Sequence, residues 1–293
     1  MTSFIRALSA AACVAGCLTG SARYASAQTP EPAKKQPQSV ITDVTEPDFA
    51  LVNLPTTRPM KQWRSSFHLT HRFLGNLKQG TLGENAGNLF GLDNGAVIGL
   101  EYRISLFNRL QAVFYRSSAD KTIQFSTKFD AMRQSQRMPV SLALIASIEG
   151  NQNFGLSGGD NHTHVAGAHE HKAPALGAVV SRTVGMFAAV YAVPVFVHNS
   201  LKLDDTSHRN TFYLGMGGRV RVRPTVYLVG EVTPRLAGYA PGDAEYGFGI
   251  EKRAGGHMFQ LTFSNATATT FGQIARGGFP STLYFGFNLG RKF

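Results

Sequence analysis

From Leu283 to Phe293 the chain alternates with a period of two. Apolar side chains stand at Leu283, Phe285, Phe287, Leu289 and Phe293, and polar, small or amphipathic ones at Tyr284, Gly286, Asn288 and Gly290. A strand turns successive side chains to opposite faces, so this stretch has one greasy face and one wet one. Finishing on an aromatic suits the closing strand of an outer-membrane barrel. The terminal edge strand of a soluble sandwich is the other reading, but the same alternation recurs upstream and favours the barrel.

Composition agrees. Charged residues are 16% of the 293, below the quarter or so usual in a soluble domain, and there are 21 Phe and 31 Gly. Past the N-terminus no run approaches the roughly twenty apolar residues of a membrane helix. Residues 1–27 read as an export signal, with Arg6 as the positive flank, Ala7 to Leu18 as the apolar run and Ala25-Ser26-Ala27 as the cleavage site. Val14-Ala-Gly-Cys17 also resembles a lipoprotein signal cleaved before Cys17, though the Ala-x-Ala site is the stronger. Both cysteines, Cys13 and Cys17, fall in that segment, so the mature chain has no disulfide and no thiol chemistry. Loss of Arg6 and Arg23 lowers the formal charge of +11 by two, to +9. An exported chain seldom meets nucleic acid, and lipopolysaccharide phosphates or anions in a lumen are better partners for that excess.

Residues 28–61 are rich in Pro, Gln and Thr with little periodicity, which predicts a periplasmic tail or linker. Its segment Phe49-Ala-Leu-Val-Asn-Leu54 is apolar enough to dock at a barrel mouth. Twelve alternating segments follow within 62–293, starting near 62, 95, 110, 121, 140, 175, 187, 211, 226, 245, 257 and 281. Long and short connections tend to alternate, except at Ser118–Asp120 and Ala131–Pro139. The prediction is an all-β fold, a membrane-spanning antiparallel up-and-down barrel of twelve strands, closed because a free edge would leave unpaired N–H and C=O groups in hydrocarbon. Pro194 inside the seventh segment predicts a bulge or an end of pairing.

Several blocks are also familiar. Asn88-Leu-Phe-Gly-Leu-Asp-Asn-Gly95, Tyr115-Arg-Ser-Ser-Ala-Asp-Lys-Thr122, Val197-His198-Asn199, Gly255-Gly-His-Met-Phe-Gln-Leu-Thr-Phe-Ser-Asn265 and Phe285-Gly-Phe-Asn-Leu-Gly-Arg-Lys-Phe293 stand in one order. In that order the chain resembles, from about Trp63 onward, a bacterial outer-membrane β-barrel family of unknown function. The resemblance implies a barrel in the outer membrane of a Gram-negative bacterium and brings no catalytic residue. Expected partners are outer-membrane lipid, lipopolysaccharide and, through Phe293, the barrel assembly machinery.

Three features carry candidate chemistry. Asp160-Asn-His-Thr-His-Val-Ala-Gly-Ala-His-Glu-His171 places His162, His164, His169 and His171 within ten residues. Imidazoles two apart can project together and bind a divalent metal weakly, although His-rich loops often do so without purpose. No other cofactor is expected. The second feature is a set of charges on the wet faces: Arg64, Arg72, Glu101, Arg103, Lys128, Asp130, Arg219, Arg221, Glu231, Glu251 and Arg253, with Glu149 and Glu245 beside them. Such groups either grade ions in an open pore or pair across strands and fill the lumen. The third is Ser66 and His68 on one strand face with Glu101 nearby, the elements of a hydrolase; Ser and His on a wet face are common, and no nucleophile elbow accompanies them. The sequence therefore predicts no enzyme but a passive pore for small polar solutes, anionic ones among them. A closed barrel working through its outer loops is the alternative, and a membrane-embedded hydrolase the third reading.

Overall fold

A computed structural model of the protein describes residues 44–151, 172–200 and 210–293. Residues 1–27, the first part of the tail, and His162, His164, His169 and His171 lie outside the described residues.

Alternation produces strands throughout. The strands are β1 (Ser65–Asn76), β2 (Ala96–Phe107), β3 (Leu110–Ser117), β4 (Thr122–Met132), β5 (Ser141–Asn151), β6 (Lys172–Val184), β7 (Ala188–Val197), β8 (Thr211–Arg223), β9 (Val226–Thr233), β10 (Arg235–Ala237), β11 (Glu245–Ala254), β12 (His257–Ser264) and β13 (Tyr284–Lys292). With the short β10 set aside, each pairs antiparallel with the strands before and after it, and β13 returns to β1 with Leu289 opposite Leu69. β8 and β9 pair as well, so the sheet has no open edge. Twelve strands close the barrel. The three-residue β10 continues β9 beyond Pro234, which has no N–H for the ladder, and lies against β8 with Arg235 opposite Tyr213.

Polarity is inverted relative to a soluble domain. Along β1, Ser66, His68, Thr70 and Arg72 point inward and are buried, while Phe67 points outward and is exposed. Leu100, Phe114, Phe125, Leu144 and Leu228 extend the exposed apolar belt around the barrel. Water would penalise that surface and hydrocarbon would not, so strands of 8 to 13 residues spanning a membrane are the physical reading. No helix among the described residues is long and apolar enough to cross a membrane. His71, on the outer face, stacks on Phe287 across the β1–β13 seam with ring centroids 4.8 Å apart.

The irregular places have local causes. At Pro194 the β6–β7 ladder skips a step between Gly177↔Val195 and Val180↔Ala192 and resumes in the same register, so pairing lapses without a bulge. The 131–139 connection is long because Gln134 folds back on β6, accepting from the N–H of Thr183 at 2.7 Å and donating to its carbonyl at 3.0 Å. Ser118–Asp120 is short because the chain turns at once, with Asp120 at φ 54°. The connection after β1 holds helix α1 (Leu82–Gly87), opened by a capping box between Thr81 and Glu84.

Candidate functional site

The lumen is built from the wet faces, and the chain ahead of β1 fills it. Residues 44–60, read above as part of a tail, form a hairpin inside the barrel. Ala50 bridges Pro55, Leu51 N–H donates to the carbonyl of Leu54 at 2.8 Å, and Thr56 N–H to that of Phe49 at 2.9 Å. Both legs stay near the end of the barrel that carries the short turns: Lys292 donates to the Pro47 carbonyl and Ser105 Oγ to the Met60 carbonyl. The tip, Leu51–Leu54, reaches the middle.

Two properties of the wall hold the tip. The first is space. A Cβ on Gly215 would stand 2.7 Å from Leu54 Cδ2, one on Gly217 2.6 Å from Leu51 Cδ1, and one on Gly247 3.1 Å from Val52 Cγ1. Inward glycines on β8 and β11 thus make the recess into which three tip side chains fit. Leu51, Val52 and Leu54 are almost fully buried, in one apolar cluster with Val193, Val195 and Tyr213.

The second property is charge matched to backbone. Glu231 on β9 accepts from three successive N–H groups, those of Val52 at 3.0 Å, Asn53 at 2.8 Å and Leu54 at 3.0 Å. Arg219 donates to the Ala50 carbonyl at 2.7 Å and pairs with Glu251 at 2.8 Å. Gln260 and Asn288 donate to the carbonyls of Leu51 and Val52. Arg72 reaches the Asn53 side chain at 2.9 Å, and Asn53 in turn donates to Glu245 at 3.0 Å. Lower down, Lys128 Nζ donates to the carbonyls of Thr56 at 2.8 Å and Arg58 at 2.7 Å. The ring of Phe49 lies beneath Arg58, Arg103 and Lys128, the guanidinium of Arg103 being 5.2 Å from its centroid. Buried polar groups need partners, and the hairpin backbone supplies them.

The opposite end is occupied too. The 265–280 connection folds inward and carries the short helix α2 (Phe271–Ala275), whose residues are all buried. Glu149 on β5 accepts from Gly272 N–H at 2.9 Å, Thr270 Oγ1 at 3.1 Å and Gln124 at 3.0 Å. Arg276 then ties this connection to Asp120 at 3.0 Å.

Of the charges read from sequence, Arg72, Arg103, Lys128, Asp130, Glu149, Arg219, Glu231, Glu245 and Glu251 are buried on inward positions. Glu101 is inward and pairs with Arg103 at 3.0 Å. Arg64 is exposed just before β1. Arg221 donates to the carbonyl of Pro224 in the β8–β9 turn, and Arg253, near the end of β11, is half-buried. The hydrolase elements do not assemble. Glu101 stands opposite His68 in register but is engaged by Arg103, and His68 Nε2 faces Asp48 of the hairpin at 3.5 Å. Among the described residues no hydrogen bond joins Ser66 to His68, and no cluster of three or more His, Cys, Asp or Glu could hold a metal.

Sequence reasoning placed Phe49–Leu54 no deeper than the barrel mouth and missed that it enters the lumen as a hairpin. Its signal was present on the wall: β7 turns Tyr191, Val193, Val195 and Val197 inward, and β8 turns Gly215 and Gly217 inward beside them. A greasy, hollowed strip on a wet face requires an apolar occupant.

A family model described as a membrane-bound β-barrel domain matches residues 48–293, a span that takes in most of the hairpin with the strands. No curated protein matches the chain. Among solved structures, the COG4313 outer membrane channel from Pseudomonas putida F1 is 12% identical, with a TM-score of 0.48 over 80% of this chain and 97% of that one. The outer membrane phospholipase A from Escherichia coli is 9% identical, with a TM-score of 0.41 over 86% and 97%. LpxR from Salmonella typhimurium is 12% identical, with a TM-score of 0.40 over 78% and 100%. Neither a solute nor a reaction is carried over from proteins this distant.

Proposed function

The chain belongs to the membrane-bound β-barrel domain family DUF5777, and from that premise we propose that it is a conduit for small polar solutes in the outer membrane of a Gram-negative bacterium, kept shut at rest by its own hairpin. The observation that carries this reading is how the hairpin is held. The wall grips backbone groups through side chains that are themselves polar, so a lumen vacated by the hairpin is one that water can wet. A barrel built only to be solid has no need of buried ions, whose desolvation is expensive.

Magnitudes decide between an always-open pore and a gated one. Burying Phe49, Leu51, Val52 and Leu54 contributes about 1.5–3 kcal/mol each, in total roughly ten to twenty times RT. Spontaneous withdrawal is therefore rare, and opening needs an input of energy. Once the hairpin has left, the lumen turns five carboxylates (Glu101, Asp130, Glu231, Glu245, Glu251) toward four cations (Arg72, Arg103, Lys128, Arg219), while Glu149 stays engaged by the 265–280 connection. That balance favours cations over anions.

Planar-bilayer recording tests the proposal, comparing the full chain with a variant whose residues 46–58 are replaced by a Gly/Ser linker of equal length. The full chain should be nearly silent, and the variant should open far more often, with reversal potentials on the cation side. Steady current through the full chain would reject the gate. Silence of both proteins would favour a closed structural barrel working through its outer loops.

A further inference from the structure

At the short-turn end, between the legs of the hairpin and the barrel rim, lies a cavity of about 460 Å³. That is within the usual range for small-molecule sites, roughly 300–1,000 Å³. Part of its lining is apolar: Phe49, Pro59 and Met60 from the hairpin and Phe293 from the end of the chain. Among the charged side chains of the lining, five are cations and one, that of Glu46, is an acid. Two of the cations serve the fold, Arg58 donating to the Glu46 carbonyl and Lys292 to that of Pro47. Glu46 is itself engaged, accepting from Thr57 at 3.0 Å and from Tyr191 at 2.7 Å.

The other three cations have no comparable structural duty. Arg133 shares Asp130 at 3.1 Å and has a half-exposed side chain. Lys61 and Arg64 are exposed, and among the described residues no hydrogen bond or ion pair holds either side chain. They are brought together by a turn, in which Arg64 N–H donates to the Lys61 carbonyl at 3.1 Å and Trp63 takes φ 60°. A bulky residue in the left-handed region is strained by about 1–3 kcal/mol, and the result here is to set two cations side by side over an apolar hollow.

We propose that this cavity binds a small organic anion, its carboxylate or phosphate held by Lys61, Arg64 and Arg133 and its apolar body resting on Phe49, Pro59 and Met60. Three of those contacts belong to the hairpin, so an occupant touches the plug where it leaves the lumen. The lumen above is rich in carboxylates, which makes the anion a bound ligand and not cargo. The binding site stands whether or not the barrel conducts.

Isothermal titration of the full, folded barrel in detergent tests this with three probes: benzoate, its neutral analogue benzyl alcohol, and inorganic phosphate. Benzoate should bind saturably at one site, with phosphate weaker and benzyl alcohol weaker still. The Lys61→Gln/Arg64→Gln double variant should lose about tenfold or more in benzoate affinity, as expected when charge-assisted hydrogen bonds are removed. Arg133→Gln should weaken binding independently, and both variants should retain the strand circular dichroism of the parent. Absence of saturable benzoate binding, equal binding of benzyl alcohol, phosphate binding as tightly as benzoate, or unchanged affinity in both variants would overturn the proposal.

Discussion

Glu231 and Val52 are 179 positions apart in sequence, yet the Val52 N–H donates to the Glu231 carboxylate at 3.0 Å, and the next two N–H groups of the chain follow it there. One strand carboxylate thereby caps the whole tip of the hairpin. Glu231→Ala leaves three buried donors without acceptors and should destabilise the docked hairpin by about 2–4 kcal/mol, read from urea unfolding in micelles. Glu231→Gln keeps one acceptor oxygen and should cost less. Equal, negligible losses for the two variants would mean that the tip is not held by this carboxylate.

Packing gives an independent test on the other side of the tip. Gly215→Val places side-chain atoms where Leu54 now lies and should cost about 1–3 kcal/mol through overpacking. Leu54→Ala alone should cost about 2–5 kcal/mol through the space it leaves. Combined, each change relieves the other, so the double variant should be markedly more stable than the sum of the single losses requires. Strict additivity would separate Leu54 from β8.

Acid should loosen the hairpin through Asp48. Burial pushes its carboxyl up, but the charges of His68, Lys292 and Arg219, with an N–H from Phe49, outweigh burial and hold it below the ordinary 3.8. A carboxyl depressed in the folded state contributes stability that is complete above its unfolded value and lost as pH falls through the folded one. The parent should therefore lose more stability than Asp48→Asn between about pH 5 and pH 3, measured by urea midpoints at each pH. Parallel pH profiles for the two proteins would remove Asp48 from the docking.

The barrel was legible in the sequence because its signal is local. Alternation along Phe67, Leu69 and Phe73, or along Phe285, Phe287 and Leu289, needs only the pleat of a single strand and apolar surroundings. Strand starts accordingly lie within a few residues of those expected, and only β10, a fragment split off by Pro234, is additional. The hairpin was not legible for the opposite reason. Phe49-Ala-Leu-Val-Asn-Leu54 has no period, and its partners Glu231, Gln260 and Asn288 lie some 180 to 240 residues away. Gly215 and Gly217 read plausibly as relief for a curved sheet until Leu54 and Leu51 are seen against them. Of the charges read on the wet faces, Arg219 and Lys128 spend their donors on the carbonyls of Ala50, Thr56 and Arg58 as well as on neighbouring acids, a partner that a single strand's alternation does not reveal.

Amide hydrogen exchange at residues 51–56, followed by mass spectrometry on the folded full-length barrel, tests most directly whether the hairpin occupies the lumen. Docked as described, the N–H groups of Val52, Asn53, Leu54 and Thr56 should exchange as slowly as those of the adjoining strands β8 and β9, and Glu231→Ala should speed the first three selectively. Exchange of this segment at the rate of an unprotected loop, in a barrel whose strands remain protected, would contradict the plugged lumen and the gate with it.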